Sequence, residues 1–526
     1  MLDMRKLFFL IVSVLVVGLF SGCNLEKGKL CSGGGTCPGP TPAPTPTPAP
    51  TATPFPNDQH LAQTPPVKMG TSGGNVNDIN GTFCCSGTLG AVIQRGGGFF
   101  ILSNNHVLDK SDLGVLGTDP IAQPGLIDNN CAVKQKVATL SEAAKLKPTS
   151  AVSGGPCTGS TAPLCGLAPS NVDASIAAII TTPSVMVDTT GSILDLGAAR
   201  TTSIAAAPPS LNLADPATVL SANEGVAKSG RSSGLTCSTL QSINTQVSID
   251  YDAACNGSLA FTAIFNNQLI IKGGTFSSTG DSGSLIVTSD TARPVGLLYG
   301  GNGTSTSANP IQDVITAFTN GSGTPVIVGA SDHPVSCAAQ VSIPSANLGP
   351  GSGAAALSAS ERQRVSTVQL RRSEELMRDP AIASVDVGAS EDSPGEGALL
   401  IQLSAAAAAP VPQVIDGVRT KVVFTAGDGA LPAPSLSADD IDRATATKEI
   451  YAGGMMSQPG VQGVGVGRSN DNPQETAIVI YVISGMPHTV IPQLLDGVRT
   501  QIVEGERFRA FGWGKETRPP RQCSKK

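Results

Sequence analysis

The feature that most limits how this chain folds is a succession of short apolar runs between residues 67 and 340: LGAVIQ, GGFFILSNN, ASIAAII, LAFTAIF, QLIIKG, GSLIVTS and PVGLLYGG. Each breaks off in Gly, Asn, Asp or Ser. Runs this short, with turn residues between them, read as strands rather than helices, and their regular recurrence predicts a closed, mainly β architecture. The composition agrees, since charged residues make up only 14% and aromatics 4%, while 60 Gly and 39 Pro supply turns. A net charge of −6 over 526 residues offers no basic stripe, which argues against a nucleic-acid partner.

A length of 526 residues exceeds what one hydrophobic core usually organises, so at least two folded domains are expected. Residues 1–22 read as a signal peptide: Arg5 and Lys6 precede the apolar run Leu7 to Phe20, too short for a permanent span, and Ser21-Gly22 lead into Cys23. Small residues before a cysteine resemble the bacterial lipobox. Cleavage before Cys23 and lipidation of its sulfur would anchor an exported protein to the cell envelope. Residues 23–66, with PTPAPTPTPAPTATP near the centre, cannot bury enough apolar surface to fold and read as a disordered stalk. The twelve cysteines suit an oxidising compartment. No Cys-x-x-Cys pair or histidine cluster suggests a metal.

A loose segment, residues 341–356, reads as a linker to a duplicated region at 357–526. There Val411 to Thr420 (VPQVIDGVRT) recurs as Ile491 to Thr500 (IPQLLDGVRT), and Pro380 to Gly388 matches Pro459 to Gly467. Each unit opens with a capped helix, at Ser358 with Glu361 and at Ser437 with Asp440. The expectation is an α+β domain of two αββαβ repeats, about 357–435 and 436–518, packed about a pseudo-twofold axis or side by side. A short helix is placed at the Pro-Gln element and a helix-to-strand turn at Asp-Gly.

The residues that carry chemistry lie in the β region. Ser282, in STGDSGSLIV, is a glycine-flanked serine on a turn entering an apolar strand, where a hydroxyl can be exposed beside backbone N–H groups. Gly280 and Ser282 would donate those hydrogens. An alcohol nucleophile needs a base, and His106 follows the apolar strand FFILSNN. The base needs a buried carboxylate. Asp173, in NVDASIAAII, stands at the entrance of an apolar run, ahead of Asp188 and Asp195 as candidates.

The order His, Asp, Ser in these contexts resembles the trypsin-like peptidase family over most of residues 80 to 305. The likeness is most detailed with the bacterial branch of alpha-lytic protease and the streptogrisins, through Lys228 to Cys237 (KSGRSSGLTC). The resemblance implies a double β-barrel of chymotrypsin type over 67–340. It also implies a serine endopeptidase that works through an acyl-enzyme without a cofactor: His106 is the general base, Asp173 its orienting partner, Ser282 the nucleophile, and Gly280 and Ser282 the oxyanion hole. Tyr299, Gly300 and Gly301 would pair with the backbone of an extended polypeptide substrate. Phe276 would lie at the base of the primary specificity pocket, favouring an apolar or small residue over Lys or Arg. Ser284 replaces the family's second glycine, and Ala227 replaces a cysteine, so Cys237 is assigned Cys255 as partner. Cys157 with Cys165, and Cys131 with Cys84 or Cys85, are the other expected bridges. The alternative from another class is a surface binding or adhesion protein that keeps the fold without turnover. The repeats would bind a protein partner or the catalytic domain itself, as an intramolecular inhibitor or a folding aid removed by self-cleavage at 346–356.

Overall fold

The computed structural model describes residues 58–80, 83–151, 172–199, 203–252, 259–337, 357–404, 411–424 and 435–510. All belong to one compact unit, Thr53–Lys526. The signal peptide, Cys23, the linker 341–356 and Cys157, Cys165 and Cys255 lie outside the described residues. The folded part reaches back beyond the stalk boundary placed at residue 66. Gln59 is buried, and its carbonyl accepts from the Ser72 N–H and the Thr71 hydroxyl. The Pro-Thr composition stops at Pro56, and polar side chains able to dock on a strand edge follow it.

The protein is mainly β. The first sheet contains β1 (Thr71–Asn75), β2 (Gly87–Leu89), β3 (Ala91–Arg95), β4 (Gly98–Ser103), β5 (Pro120–Gln123), β6 (Gln135–Ala143) and β7 (Ser175–Ile179). Antiparallel pairing runs β2-β1-β5-β6-β7-β4-β3. β2 and β3 are one strand interrupted at Gly90, whose N–H donates to Leu102, so the sheet closes into a barrel. Its apolar residues, among them Val92, Ile101, Leu102, Ile121, Leu140, Ile176 and Ala177, fill one core.

The second barrel uses β8 (Gly225–Gly230), β9 (Gly234–Asp252), β10 (Leu259–Lys272), β11 (Leu285–Thr288), β12 (Pro294–Gly301) and β13 (Ser305–Pro310). Pairing runs β8-β9-β10-β13-β12-β11 and returns to β8. Two closed antiparallel barrels in succession are the chymotrypsin architecture. Cys84 joins Cys131, and Cys85 is also disulfide-bonded. Cys237 joins Cys337, not Cys255. Cys237 lies at the start of β9, and Cys255 follows its far end. From Cys237 to the end of the strand at Asp252 the chain runs roughly 50 Å at the usual rise per residue.

The first repeat comprises α1 (Ala359–Leu376), β14 (Ile382–Ala389), β15 (Gly397–Leu403), β16 (Val414–Ile415) and β17 (Val418–Phe424). The second comprises α2 (Ala438–Met456), β18 (Val461–Arg468), β19 (Thr476–Ile483), β20 (Leu494–Leu495) and β21 (Val498–Gly505). Ser358 and Ser437 cap the helices as read from sequence, accepting from the N–H groups of Glu361 and Asp440. The short helix expected at the Pro-Gln element is absent, and the αββαβ order is corrected to αββββ. β16 and β20 are two-residue strands that form hairpins with β17 and β21. At each turn Asp and Gly both have positive φ, 47° and 78° for Asp416 and Gly417 and 45° and 78° for Asp496 and Gly497. That is the turn type whose twist suits a two-residue hairpin loop, and Asp-Gly is its sequence signature.

The repeats face each other about a pseudo-twofold axis. Arg419 donates to the Thr500 carbonyl (2.9 Å) and hydroxyl, and Arg499 does the same to Thr420 (3.0 Å). Ser390 donates to Asp471 and Ser469 to Asp392. The second repeat is also continuous with the second barrel, because β18 pairs antiparallel with β9, Ile243 opposite Val466 and Val247 opposite Gly463. One further strand, β22 (Arg509–Ala510), follows β21.

Candidate active site

His106 stands on a single helical turn, Asn105–Leu108, at the end of β4. Asp173 lies two residues before the start of β7, the strand paired with β4, and this pairing brings the two side chains together. His106 Nδ1 lies 2.6 Å from Asp173 Oδ2, with the carboxyl fully buried and the imidazole nearly so. Oδ1 accepts from the N–H groups of Asn105 (2.8 Å) and His106 (3.3 Å). Oδ2 also accepts from the Tyr251 hydroxyl at 2.7 Å. Burial and the Asp173 charge push the Tyr251 phenol well above its ordinary range, so it stays a donor. Asn309 clamps the Asp173 backbone, its carbonyl oxygen accepting from the Asp173 N–H (2.9 Å) and its amide donating to the Asp173 carbonyl (3.0 Å). A carboxylate so surrounded favours the tautomer in which Nδ1 carries the proton. His106 Nε2 is then the acceptor, and it is buried without a partner among the described residues.

Ser282 lies in the turn between β10 and β11. Gly280 and Gly283 flank it with φ of +96° and +94°, values that side chains rarely adopt. A Cβ on Gly283 would lie 2.1 Å from the Ser103 hydroxyl, so this turn is pressed against the strand that leads to His106. A Cβ on Gly87 would touch both Val107 (2.6 Å) and the Ser282 carbonyl (2.9 Å), which places the serine beside the histidine turn. The Ser282 hydroxyl donates to the Tyr299 carbonyl at 3.2 Å. The N–H groups of Gly280 and Ser282 donate to no described group, whereas those of Asp281, Gly283 and Ser284 are all used. Two free N–H groups beside a serine hydroxyl are what an oxyanion requires.

Asp281 holds this turn from behind. Its carboxylate accepts from the N–H groups of Ser232 (2.8 Å), Ser233 (3.1 Å) and Ser278 (2.9 Å) and from the Ser233 hydroxyl. It also pairs with fully buried Lys228 at 3.4 Å. Burial lowers the Lys228 ammonium and the Asp281 charge opposes that shift. The Lys228 to Cys237 element thus braces the nucleophile turn. Ser284 fits because Gly230 leaves it room: a Cβ there would lie 2.4 Å from the Ser284 hydroxyl.

Tyr299, Gly300 and Gly301 end β12 beside Ser282, and β22 pairs with that segment. Phe276 packs in the core of the second barrel, 1% exposed, with the Lys228 ammonium 5.8 Å from its ring. Asp188 caps its own turn at Thr190, and Asp195 accepts from Gln59; neither contacts His106. A cavity of about 20 Å³ beside the imidazole is lined by Asp78, Ser86, His106, Lys110, Tyr251 and Ala510 among others. Burial pushes the Asp78 carboxyl up to about 7, against the pull of Lys110 and His106. Tyr251 and Asn309 were not singled out from sequence. Neither position belongs to a motif, and only barrel closure brings them to Asp173.

No family model and no curated protein matches the chain. Solved structures similar to it include a glutamic-acid-specific serine protease that uses a histidine triad in substrate binding, at 15% identity over 48% of this chain and 97% of that one, with a TM-score of 0.30. Protease A of Thermobifida fusca is similar at 14% identity over 50% and 99%, TM-score 0.30. An alpha-lytic protease homologue, N4, is similar at 15% identity over 48% and 96%, TM-score 0.29.

Proposed function

We propose that this chain is an exported serine endopeptidase, lipid-anchored to the cell envelope through Cys23. The observation that carries the reading is the Asp173–His106 contact of 2.6 Å, with Nε2 unpartnered among the described residues; the Ser282 hydroxyl rests on the Tyr299 carbonyl rather than on Nε2, and the N–H groups of Gly280 and Ser282 are unused among the described residues. In the proposed reaction Ser282 Oγ attacks the scissile carbonyl while His106 Nε2 takes its proton. Asp173 stabilises the imidazolium, and the N–H groups of Gly280 and Ser282 hold the oxyanion. His106 returns the proton to the leaving amine as the C–N bond breaks, and water, deprotonated by His106, hydrolyses the acyl-enzyme. The residues assigned to this chemistry are all protein groups, and no cofactor is invoked.

The substrate is an extended polypeptide paired to Tyr299-Gly300-Gly301. Preference for an apolar or small residue is supported by the carboxylate nearest Ser282 in sequence. Asp281 is committed to Lys228 and to four hydrogen bonds, which leaves it unavailable to a substrate cation.

The test is covalent labelling by a fluorophosphonate, with and without residues 506–526. Attachment at Ser282, lost in Ser282→Ala and slowed at least a hundredfold in His106→Ala, is the expected result. A folded chain unlabelled in both forms would move the reading to a non-catalytic surface binding protein.

A further inference from the structure

We infer that the chain carries its own substrate mimic, with Arg509 and Ala510 occupying the edge of β12 at which an extended substrate would bind, and that this strand holds the peptidase latent. The inference rests on the peptidase reading and adds its regulation.

β22 runs antiparallel to β12, with Arg509 opposite Gly301 and Ala510 opposite Gly300. The approach is close: a Cβ on Gly300 would lie 2.5 Å from the Arg509 carbonyl oxygen. The strand advances from Gly301 toward Gly300, and one more step of the register reaches Tyr299, whose carbonyl holds the Ser282 hydroxyl. Polarity and direction are therefore those of a peptide whose next residue meets the nucleophile. Ala510, 3% exposed, lines the same small cavity as His106 and Tyr251. A substrate side chain at that place would have to share it.

Seating does not depend on the two paired residues alone. Phe508 is 1% exposed in a core shared with Tyr251, Tyr299 and Tyr481, and its ring meets that of Tyr481 edge-on at 5.6 Å. Its N–H donates to Gln462 Oε1 (2.9 Å) and its carbonyl accepts from the Asp250 N–H (3.0 Å). On its other side β22 pairs in parallel with β9 at Asp250. The second repeat thus delivers the strand from a platform already fused to the barrel. An intramolecular ligand acts at an effective concentration of about millimolar or more, so modest intrinsic affinity suffices to fill the cleft.

An occupant that competes with substrate raises the apparent KM by one plus the ratio of closed to open forms and leaves kcat at saturation unchanged. The experiment compares the full chain with an Arg509→Pro/Ala510→Pro variant, which cannot donate the strand's N–H bonds. Ala510→Glu keeps the Phe508 anchor and serves if the proline variant melts early. Readouts are kcat and KM on an extended fluorogenic peptide, and fluorophosphonate labelling. The expected result is a KM at least tenfold lower in the variants with kcat within twofold, and labelling of Ser282 in all forms. Equal KM in labelled, folded proteins would overturn autoinhibition and leave the peptidase reading intact. A fall in kcat without a fall in KM would show that the strand only supports the fold. Absence of labelling in every form would overturn the peptidase reading and this inference with it.

Discussion

The two repeats carry the same caps, the same Asp-Gly hairpin and the same Arg-Thr pair, yet among the described residues only the second pairs with a barrel strand. Aligned through the duplication, Ser384 and Asp386 of β14 correspond to Gly463 and Gly465 of β18. A Cβ at 465 would lie 2.2 Å from the Thr245 hydroxyl, and one at 463 would lie 3.3 Å from the Gln246 carbonyl. Glycine there lets β9 approach to pairing distance. In β14 the same positions carry a hydroxyl and a carboxylate on an edge strand, a device that discourages further pairing. Burial follows: β18 is buried over nearly its whole length, whereas β14 is mostly half-exposed. The second repeat shares one core with the second barrel, Ile441, Ala444, Val464 and Ile480 packing with Val226, Ile286 and Leu298. The first has its own small core around Val365, Leu399, Ile401 and Val418. Two alternate side chains thus separate a docked repeat from a free-edged one.

The largest expected effect tests what the repeats share. Arg419→Ala and Arg499→Ala each remove a buried guanidinium with its ion pair to Glu396 or Glu475 and its two hydrogen bonds across the pseudo-twofold contact, costing about 3 kcal/mol. Urea denaturation should give similar values for the two. A gap above about 2 kcal/mol would show that the barrel reinforces one side of the pseudo-twofold contact. Next comes the difference itself: Gly465→Asp, which writes the first repeat's residue into the second, should cost about 3 kcal/mol by overpacking and by burying a carboxylate. It should also slow labelling of Ser282, because β9 carries Tyr251.

A smaller effect concerns pH. Burial, with the neighbouring Asp471 charge, pushes the Asp392 carboxyl up to about 6. Its folded pKa exceeds its unfolded one, so its contribution is fully present below about pH 4 and is lost as pH rises through 6. Melting temperature should accordingly fall across that window, and Asp392→Asn should flatten the dependence and stabilise the protein at pH 7 by about 1 kcal/mol. A steeper profile in the variant would contradict this assignment. Least of all, Asp386→Gly should change stability by about 1 kcal/mol or less, since a glycine on a free edge strand meets nothing new.

How far the fold could be read from sequence depended on element length. Mostly apolar runs of four or five residues such as FFILS, SIAAI and LIVT announced the barrel strands, because strands buried at most of their positions leave a continuous apolar stretch. Val414–Ile415 and Leu494–Leu495 left none, and the flanking Pro-Gln suggested a helix. The Asp-Gly pair that decides the hairpin was read only as a helix end. At the candidate site, the contexts of His106, Asp173 and Ser282 were visible because each residue abuts an apolar strand. Tyr251 and Asn309 were invisible for the opposite reason, as polar positions within ordinary alternating strands whose meaning depends on closure. The Cys237 bridge was misassigned because Ala227 occupies the position of the family's partner cysteine, and nothing local in the sequence points to Cys337, 100 residues further on.

The Cys237–Cys337 bond makes the intervening chain a covalent ring, and the ring contains Ser282 together with Tyr299, Gly300 and Gly301. Any single cut inside it opens a hairpin without releasing a fragment, since both pieces remain tethered through sulfur and stay paired strand to strand. For a chain proposed to live among peptidases, other copies of itself included, a nick between Ser289 and Arg293 is then a scar rather than a loss. A severing cut must fall outside the ring, before Cys237 or beyond Cys337.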